Sequence, residues 1–177
     1  LIHARRLLGP LVDSQVALVH ADATALPFDT AGETVRGFDG VWTVQVFQHI
    51  PDFDGACREA RRVLRLGGHF VNFSLHDAPL YRPIYRIAGK TLHLDGMVND
   101  AFHLTRANCR QRATVASIFG GKVTDRYTEC FFHPNFGLSR AGRCGSWMGR
   151  LDAWLGNFPA VARWIARQRS FSTVKAH

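Results

Sequence analysis

With 177 residues, 46% of them apolar and 20% charged, the chain is long enough for one domain with its own core and too apolar to be disordered. No apolar run reaches membrane-spanning length and no secretory signal pattern opens the sequence, so a cytoplasmic setting is expected. The net charge of +8 would favour phosphates, but the arginines are dispersed and form no block, so neither a nucleic-acid partner nor a membrane span is expected.

The first element reads as the last turns of a helix, "LIHARRLL", stopped by Gly9-Pro10. A chain that begins with Leu inside an element is expected to be a piece lacking its N-terminal part. "QVALVHAD" (15–22) reads as a short buried strand ending at Asp22. The next stretch, broken by Pro27 and Gly32, reads as loop. "FDGVWTVQVFQHIPD" (38–52) begins as a buried strand, with Val41, Trp42, Val44 and Val46, and stops on Gln48, His49 and Pro51-Asp52.

Residues 52–65 are the clearest helix. Phe53, Ala56, Cys57, Ala60, Val63 and Leu64 recur at helical spacing, Asp52 or Asp54 suits the first turn, and Gly67-Gly68 is expected to end it. "HFVNFSL" (69–75) alternates as a strand. Residues 76–104, with Pro79, Pro83 and the aromatic Tyr81, Tyr85 and Phe102, read as an irregular cover with one short helix. Thr105 is expected to cap a helix over 106–118, followed by a strand at 122–132, helices at 146–155 and 159–168, and a last strand at 169–176. Units of strand, helix and strand imply an α/β fold whose sheet is mostly parallel, with the late strand pair as an antiparallel edge addition. Ligands of such sheets bind beyond the carboxyl ends of the strands, so Asp22, Gln48-His49 and Leu75-His76-Asp77 are expected on one rim.

The four cysteines, Cys57, Cys109, Cys130 and Cys144, are widely spaced without a CxxC pair. That favours reduced thiols over a zinc site, and no metal is expected. Cys57 lies on the apolar helix face and reads as core.

"HADATALPFD", "FDGVWTVQVFQHIPD" and "ACREARRVLRLGGHFVNFSL" together resemble consecutive motifs of the class I S-adenosylmethionine-dependent methyltransferases, most closely the small-molecule group that includes quinone-biosynthesis enzymes. The resemblance covers residues 1–75 well and 105–132 and 169–176 loosely. It implies a Rossmann-like methyltransferase domain over 1–177, lacking the first two strands, with 76–104 and 140–168 as substrate-cover insertions. It also implies S-adenosylmethionine as cofactor and a small molecule as acceptor. Asp22 aligns with the acid that accepts from the adenine amino group, and an ionised carboxylate, which can only accept, suits that donor. Ala23 aligns with the residue whose backbone N–H meets the adenine ring. Thr43 and Val44 align with the strand end near the methionine portion. Gln48 and His49 align with the pair that follows it over the methyl site. His49 is the first candidate for a catalytic base and His76 the second, because imidazole titrates near neutral pH.

Each position also has a structural reading: Asp22 as an Asx-turn residue, Gln48 and His49 as satisfiers of backbone groups, His76 as a loop polar. The family's Pro-Gly-Gly after the long helix is Leu66-Gly67-Gly68 here. The glycine-rich turn and the ribose-binding acid of the family have no counterpart, so a βαβ unit of about 30 residues is expected to be missing from the front. Its loss would leave the strands at 15–22 and 38–44 without neighbours, so the piece is expected to be unstable or to pair those strands directly. Tyr85 and Lys90 do not have dehydrogenase spacing, and no P-loop, GxSxG or HExxH is present. A remnant unable to hold cofactor and a basic nucleic-acid module are the competing readings.

Overall fold

The computed structural model describes residues 1–29, 37–90, 96–98, 102–130 and 147–177. Its centre is a four-stranded sheet in the order β1 (Phe38–Val44), β2 (Leu64–Leu75), β6 (Gln168–Val174) and β5 (Thr124–Thr128). β1 and β2 pair in parallel, while β6 runs antiparallel to both β2 and β5. Three strands therefore point one way, and the late pair extends the sheet on the side of β2.

The helices α2 (Phe53–Val63) and α4 (Cys109–Phe119) cover one sheet face. In α2, Phe53, Ala56, Cys57, Ala60 and Val63 are buried, the spacing that the 3.6-residue period demands. Asp52 caps it, its Oδ1 accepting from the Gly55 N–H at 2.8 Å. Phe70 of β2 is fully buried and stacks on Phe119 at 4.5 Å between centroids, with Phe47 and Phe171 in the same cluster. Truncating a ring so placed costs about 3–5 kcal/mol. Cys57 is fully buried in this core, and its thiol is pushed up to about 12 by burial.

Several elements differ from expectation. Helix α2 ends at Val63 and the chain passes straight into β2, so Gly67 and Gly68 lie within a strand rather than at a cap. They absorb a register shift between Phe38↔Leu64 and Gly40↔His69, and Gly67 takes φ +73°. Asn108, not Thr105, caps α4, its Oδ1 accepting from the Gln111 N–H at 2.9 Å. Strand β1 is buried on one side only. Thr43 is covered, whereas Trp42 is 75% and Val44 60% exposed.

The segment 15–22 is not a strand. Between Val12 and Ala25 it makes only isolated bridges, Val12 with Val16 and Asp22 with Ala25. An apolar run becomes a strand only where a ladder partner takes its N–H and C=O groups. Among the described strands β1 pairs with β2 alone, so 15–22 and β1 do not pair directly either.

The cover region holds α3 (Tyr81–Ile87) and, unforeseen, a small hairpin of β3 (Gly96–Val98) and β4 (Phe102–Leu104). Tyr81 and Tyr85 are buried; the side chain of Phe102 lies outside the described residues. Between β5 and β6 stand α5 (Trp147–Leu155) and α6 (Pro159–Ile165), with α6 packed on β5 through Ala162, Ala166 and Tyr127. The opening helix α1 (Ile2–Leu8) ends at Gly9 with φ +52°, as its Gly-Pro signal predicts.

Candidate functional site

At its carboxyl end β1 leaves the sheet abruptly. Gln45 takes φ +55°, uncommon for a residue with a side chain, while its N–H still donates to the Phe73 carbonyl at 2.7 Å. A single 3-10 turn, Phe47–His49, follows. It drives Phe47 and Gln48 inward and leaves His49 exposed.

Gln48 is only 2% exposed, and its Oε1, Nε2 and carbonyl oxygen are all hydrogen-bonded. Its Oε1 accepts from the Leu75 N–H at 2.7 Å, tying the ends of β1 and β2 together. Its carbonyl accepts from the Thr105 N–H at 2.7 Å, tying both to the end of the cover. With Oε1 committed to an N–H, the amide nitrogen is the group that faces His49 Nε2 at 3.0 Å. An amide nitrogen only donates, so His49 Nε2 accepts. Its proton is thereby assigned to Nδ1, which lies 2.8 Å from the His103 carbonyl oxygen, a pure acceptor. The pair thus forms one directed chain, from Gln48 through His49 to His103.

Beneath it lies a buried polar file. The Thr43 hydroxyl donates to Asn72 Oδ1 at 2.7 Å, and the Asn72 amide donates to the Ser74 hydroxyl at 3.2 Å. The Thr43 hydroxyl is thus spent on Asn72, while Val44 beside it is exposed.

The Asp22 turn stands on different supports. One carboxylate oxygen accepts from both the Thr24 N–H and the Thr24 hydroxyl, each at 2.8 Å, and those bonds hold the carboxyl below its ordinary range. It is an exposed, ionised acceptor in an Asx turn. Ala23 packs against the core cluster. The loop is clamped to α2 by an ion pair that the sequence did not single out. Glu59 accepts from the Leu26 N–H at 2.9 Å, and Arg62 donates to the Leu26 and Phe28 carbonyls at 2.8 and 2.7 Å.

His76 does not join Gln48 and His49. Its ring is turned inward, Nε2 donating to the Arg163 carbonyl at 2.9 Å and the ring edge meeting Tyr127 at 5.1 Å between centroids. Burial holds it below the ordinary imidazole range. His103, which the sequence left in an irregular cover, and Thr105, expected there as a helix cap, are the residues that do join the pair; Nε2 of His103 lies 2.6 Å from the Thr105 hydroxyl. Beside them opens a cleft of about 320 Å³ between the starts of α2 and α4, lined by Ile50, Asp52, His103, Thr105, Arg110 and Gln111 among others. Among the described residues no group of three or more His, Cys, Asp or Glu side chains could hold a metal ion.

Residues 3–72 match the family model described as a methyltransferase domain. The 27-O-demethylrifamycin SV methyltransferase of Amycolatopsis mediterranei is 42% identical over 70 residues, covering 38% of this chain and 24% of that protein. The ubiquinone/menaquinone biosynthesis C-methyltransferase of Bartonella henselae is 38% identical over 80 residues, covering 44% of this chain and 27% of that protein. The chain thus aligns with about a quarter of the length of these relatives. Among solved structures, a SAM-dependent methyltransferase from Thermotoga maritima superposes with a TM-score of 0.55 at 15% identity, over 90% of this chain and 64% of that one. That likeness is one of fold.

Proposed function

We propose that the chain, whose residues 3–72 match the methyltransferase-domain family model, is part of a class I S-adenosylmethionine-dependent methyltransferase and serves the transfer of a methyl group to a small-molecule acceptor. The observation that carries this reading is the Gln48–His49 pair, fixed by Leu75 on one side and by His103 and Thr105 on the other. A polar pair is thereby held rigidly where an open α/β sheet takes its ligand.

The residues present suit the cofactor that the family uses. Asp22 is an exposed carboxylate kept ionised by Thr24, the acceptor that an adenine amino group requires. Ala23 next to it is small enough for a ring to approach its backbone. These two would hold the adenine end, and the backbone of Thr43 and Val44 with Gln48 would flank the methionine portion. When bound, S-adenosylmethionine supplies the electrophilic methyl. The chain's own work is to position the acceptor, to exclude water and, where the acceptor must lose a proton, to take it.

His49 is the group proposed for that proton, and the structure specifies a condition on it. Its Nε2 lone pair faces the Gln48 amide at 3.0 Å, so the imidazole accepts a proton only as that contact gives way. His76, folded against the Arg163 carbonyl, is proposed to act on packing rather than on the acceptor. The acceptor is proposed to enter by the cleft next to His103 and Thr105.

The test is a calorimetric titration of the 177-residue chain with S-adenosylhomocysteine, repeated with Asp22→Ala. Saturable heat that the variant loses is expected. Saturable binding that Asp22→Ala leaves unchanged would remove the adenine assignment, and the absence of any heat would favour a remnant that folds without holding cofactor.

A further inference from the structure

Four of the arginines that look dispersed along the sequence share three helices with a run of exposed apolar side chains. On α3, Tyr81 and Tyr85 point inward while Leu80, Ile84 and Ile87 are exposed, Ile87 by 87%. The Leu80 N–H donates to the Trp164 carbonyl at 3.2 Å, which places the start of α3 against the end of α6. Along α6 the exposed side chains continue from Trp164 to Val161, one turn back, and to Phe158 at the N-cap. Phe158 meets Trp154 of α5 at 4.7 Å between ring centroids, and Trp154 is 56% exposed. Ile84, Leu80, Trp164, Val161, Phe158 and Trp154 thus follow one another by a helical turn or a direct contact.

Such a run of exposed aromatic and aliphatic side chains exceeds the scattered single residues normal on a surface. Arg82, Arg86, Arg150 and Arg163 are all exposed on the same three helices, and the Arg163 guanidinium lies 5.6 Å over the Trp164 ring. The one acid on these described helices, Asp152, is turned inward, 1% exposed, where it accepts from the Glu129 N–H. Asp77, at the margin, pairs with Arg82. The border is therefore cationic, as is the whole chain at +8.

We propose that this face of α3, α5 and α6 docks on an anionic lipid surface. Tryptophan and phenylalanine fit the boundary between headgroups and acyl chains, and arginines beside them meet lipid phosphates. A second copy of the chain fits less well, because mating two such faces would bring like charges together. The helices have 7 to 9 residues, which suits lying on a bilayer rather than crossing it.

The experiment is co-sedimentation of the 177-residue chain with vesicles of phosphatidylcholine alone and with vesicles in which about a third of the lipid is phosphatidylglycerol. Binding to the second set is expected, falling as salt is raised. Replacing Trp154 and Trp164 together by Ala is expected to weaken it at least about tenfold, and Arg86→Gln about fivefold. Hydrogen exchange on the unchanged chain supplies a reading independent of any variant: vesicles should slow exchange in α3 and α6 and leave α2 as it was. No binding to the anionic vesicles at low salt overturns the proposal. So does protection of β1 in place of α3 and α6. Undiminished binding by a folded double variant also overturns it, as does a dimer in solution that the double variant abolishes.

Discussion

Gln48 and Leu75, 27 residues apart in sequence, are joined by a 2.7 Å hydrogen bond from a backbone N–H to a buried amide oxygen. That contact makes the ends of β1 and β2 one unit. The same side chain orients His49, and the Gln48 carbonyl anchors the cover at Thr105. A single residue thus couples sheet, site and cover, and its removal should be felt in all three.

Gln48→Leu keeps the volume and removes the amide. The Leu75 N–H then loses its acceptor in the interior, a loss of about 1–3 kcal/mol. Denaturant unfolding should show a lower midpoint with an unchanged slope. Gln48→Glu retains an acceptor for Leu75, so its lower cost would show that the N–H bond, not the packing, sets the effect. An equal loss for both variants would contradict this.

His49 carries its proton on Nδ1 in the hydrogen-bond chain to His103. Nitrogen-15 chemical shifts of the imidazole read the tautomer directly, and at alkaline pH Nδ1 should show the protonated shift and Nε2 the bare one. In the active enzyme, His49→Ala is expected to lower methyl transfer about 10²–10⁴-fold for an acceptor that must be deprotonated. An unchanged rate would take His49 out of proton transfer.

How far the sequence is legible follows the range of the forces involved. Helix α2 could be read because its apolar spacing and its Asp52 cap are local. The last strand, read at 169–176, is β6 at Gln168–Val174. Residues 15–22 could not, since strand character depends on a neighbour as much as on Val16 and Leu18. Gln48 shows the same limit within the site: its type suggests polarity at a strand end, but its partners Leu75 and Thr105 are set by tertiary structure. His76 was placed on the rim because it follows β2, yet the Arg163 carbonyl and Tyr127, from α6 and β5, draw it inside. Only packing, which no spacing encodes, decides between those two positions.

The Glu59–Arg62 clamp should hold the loop that carries Asp22. Arg62 bonds, first of all, keep the Glu59 carboxyl below its ordinary value of 4.5, with the Leu26 N–H contributing. The sign follows: a depressed carboxyl stabilises the fold above its unfolded value, and that contribution is lost as pH falls through the lower folded value. The pair is partly exposed, so solvent screens it and its contribution to stability is small. Hydrogen exchange at the Leu26 amide should quicken in acid and, at neutral pH, in Glu59→Ala. Exchange that is slow and unaltered in both would show that the loop is held by other contacts.

His76, just past the carboxyl end of β2, has a pH dependence of its own. Burial, the leading cause, lowers its folded value below the ordinary 6.5, against the pull of the Arg163 and Ala107 backbone groups. Below pH 6.5 the unfolded chain therefore binds a proton that the folded chain resists, and stability falls with pH until the folded value is reached. Above 6.5 the group contributes no slope. His76→Leu should be less stable at neutral pH, because the Arg163 carbonyl loses its donor, yet the fall in thermal midpoint between about pH 7 and pH 5.5 should flatten. A variant that keeps the full slope would show that His76 is not the source of the acid sensitivity.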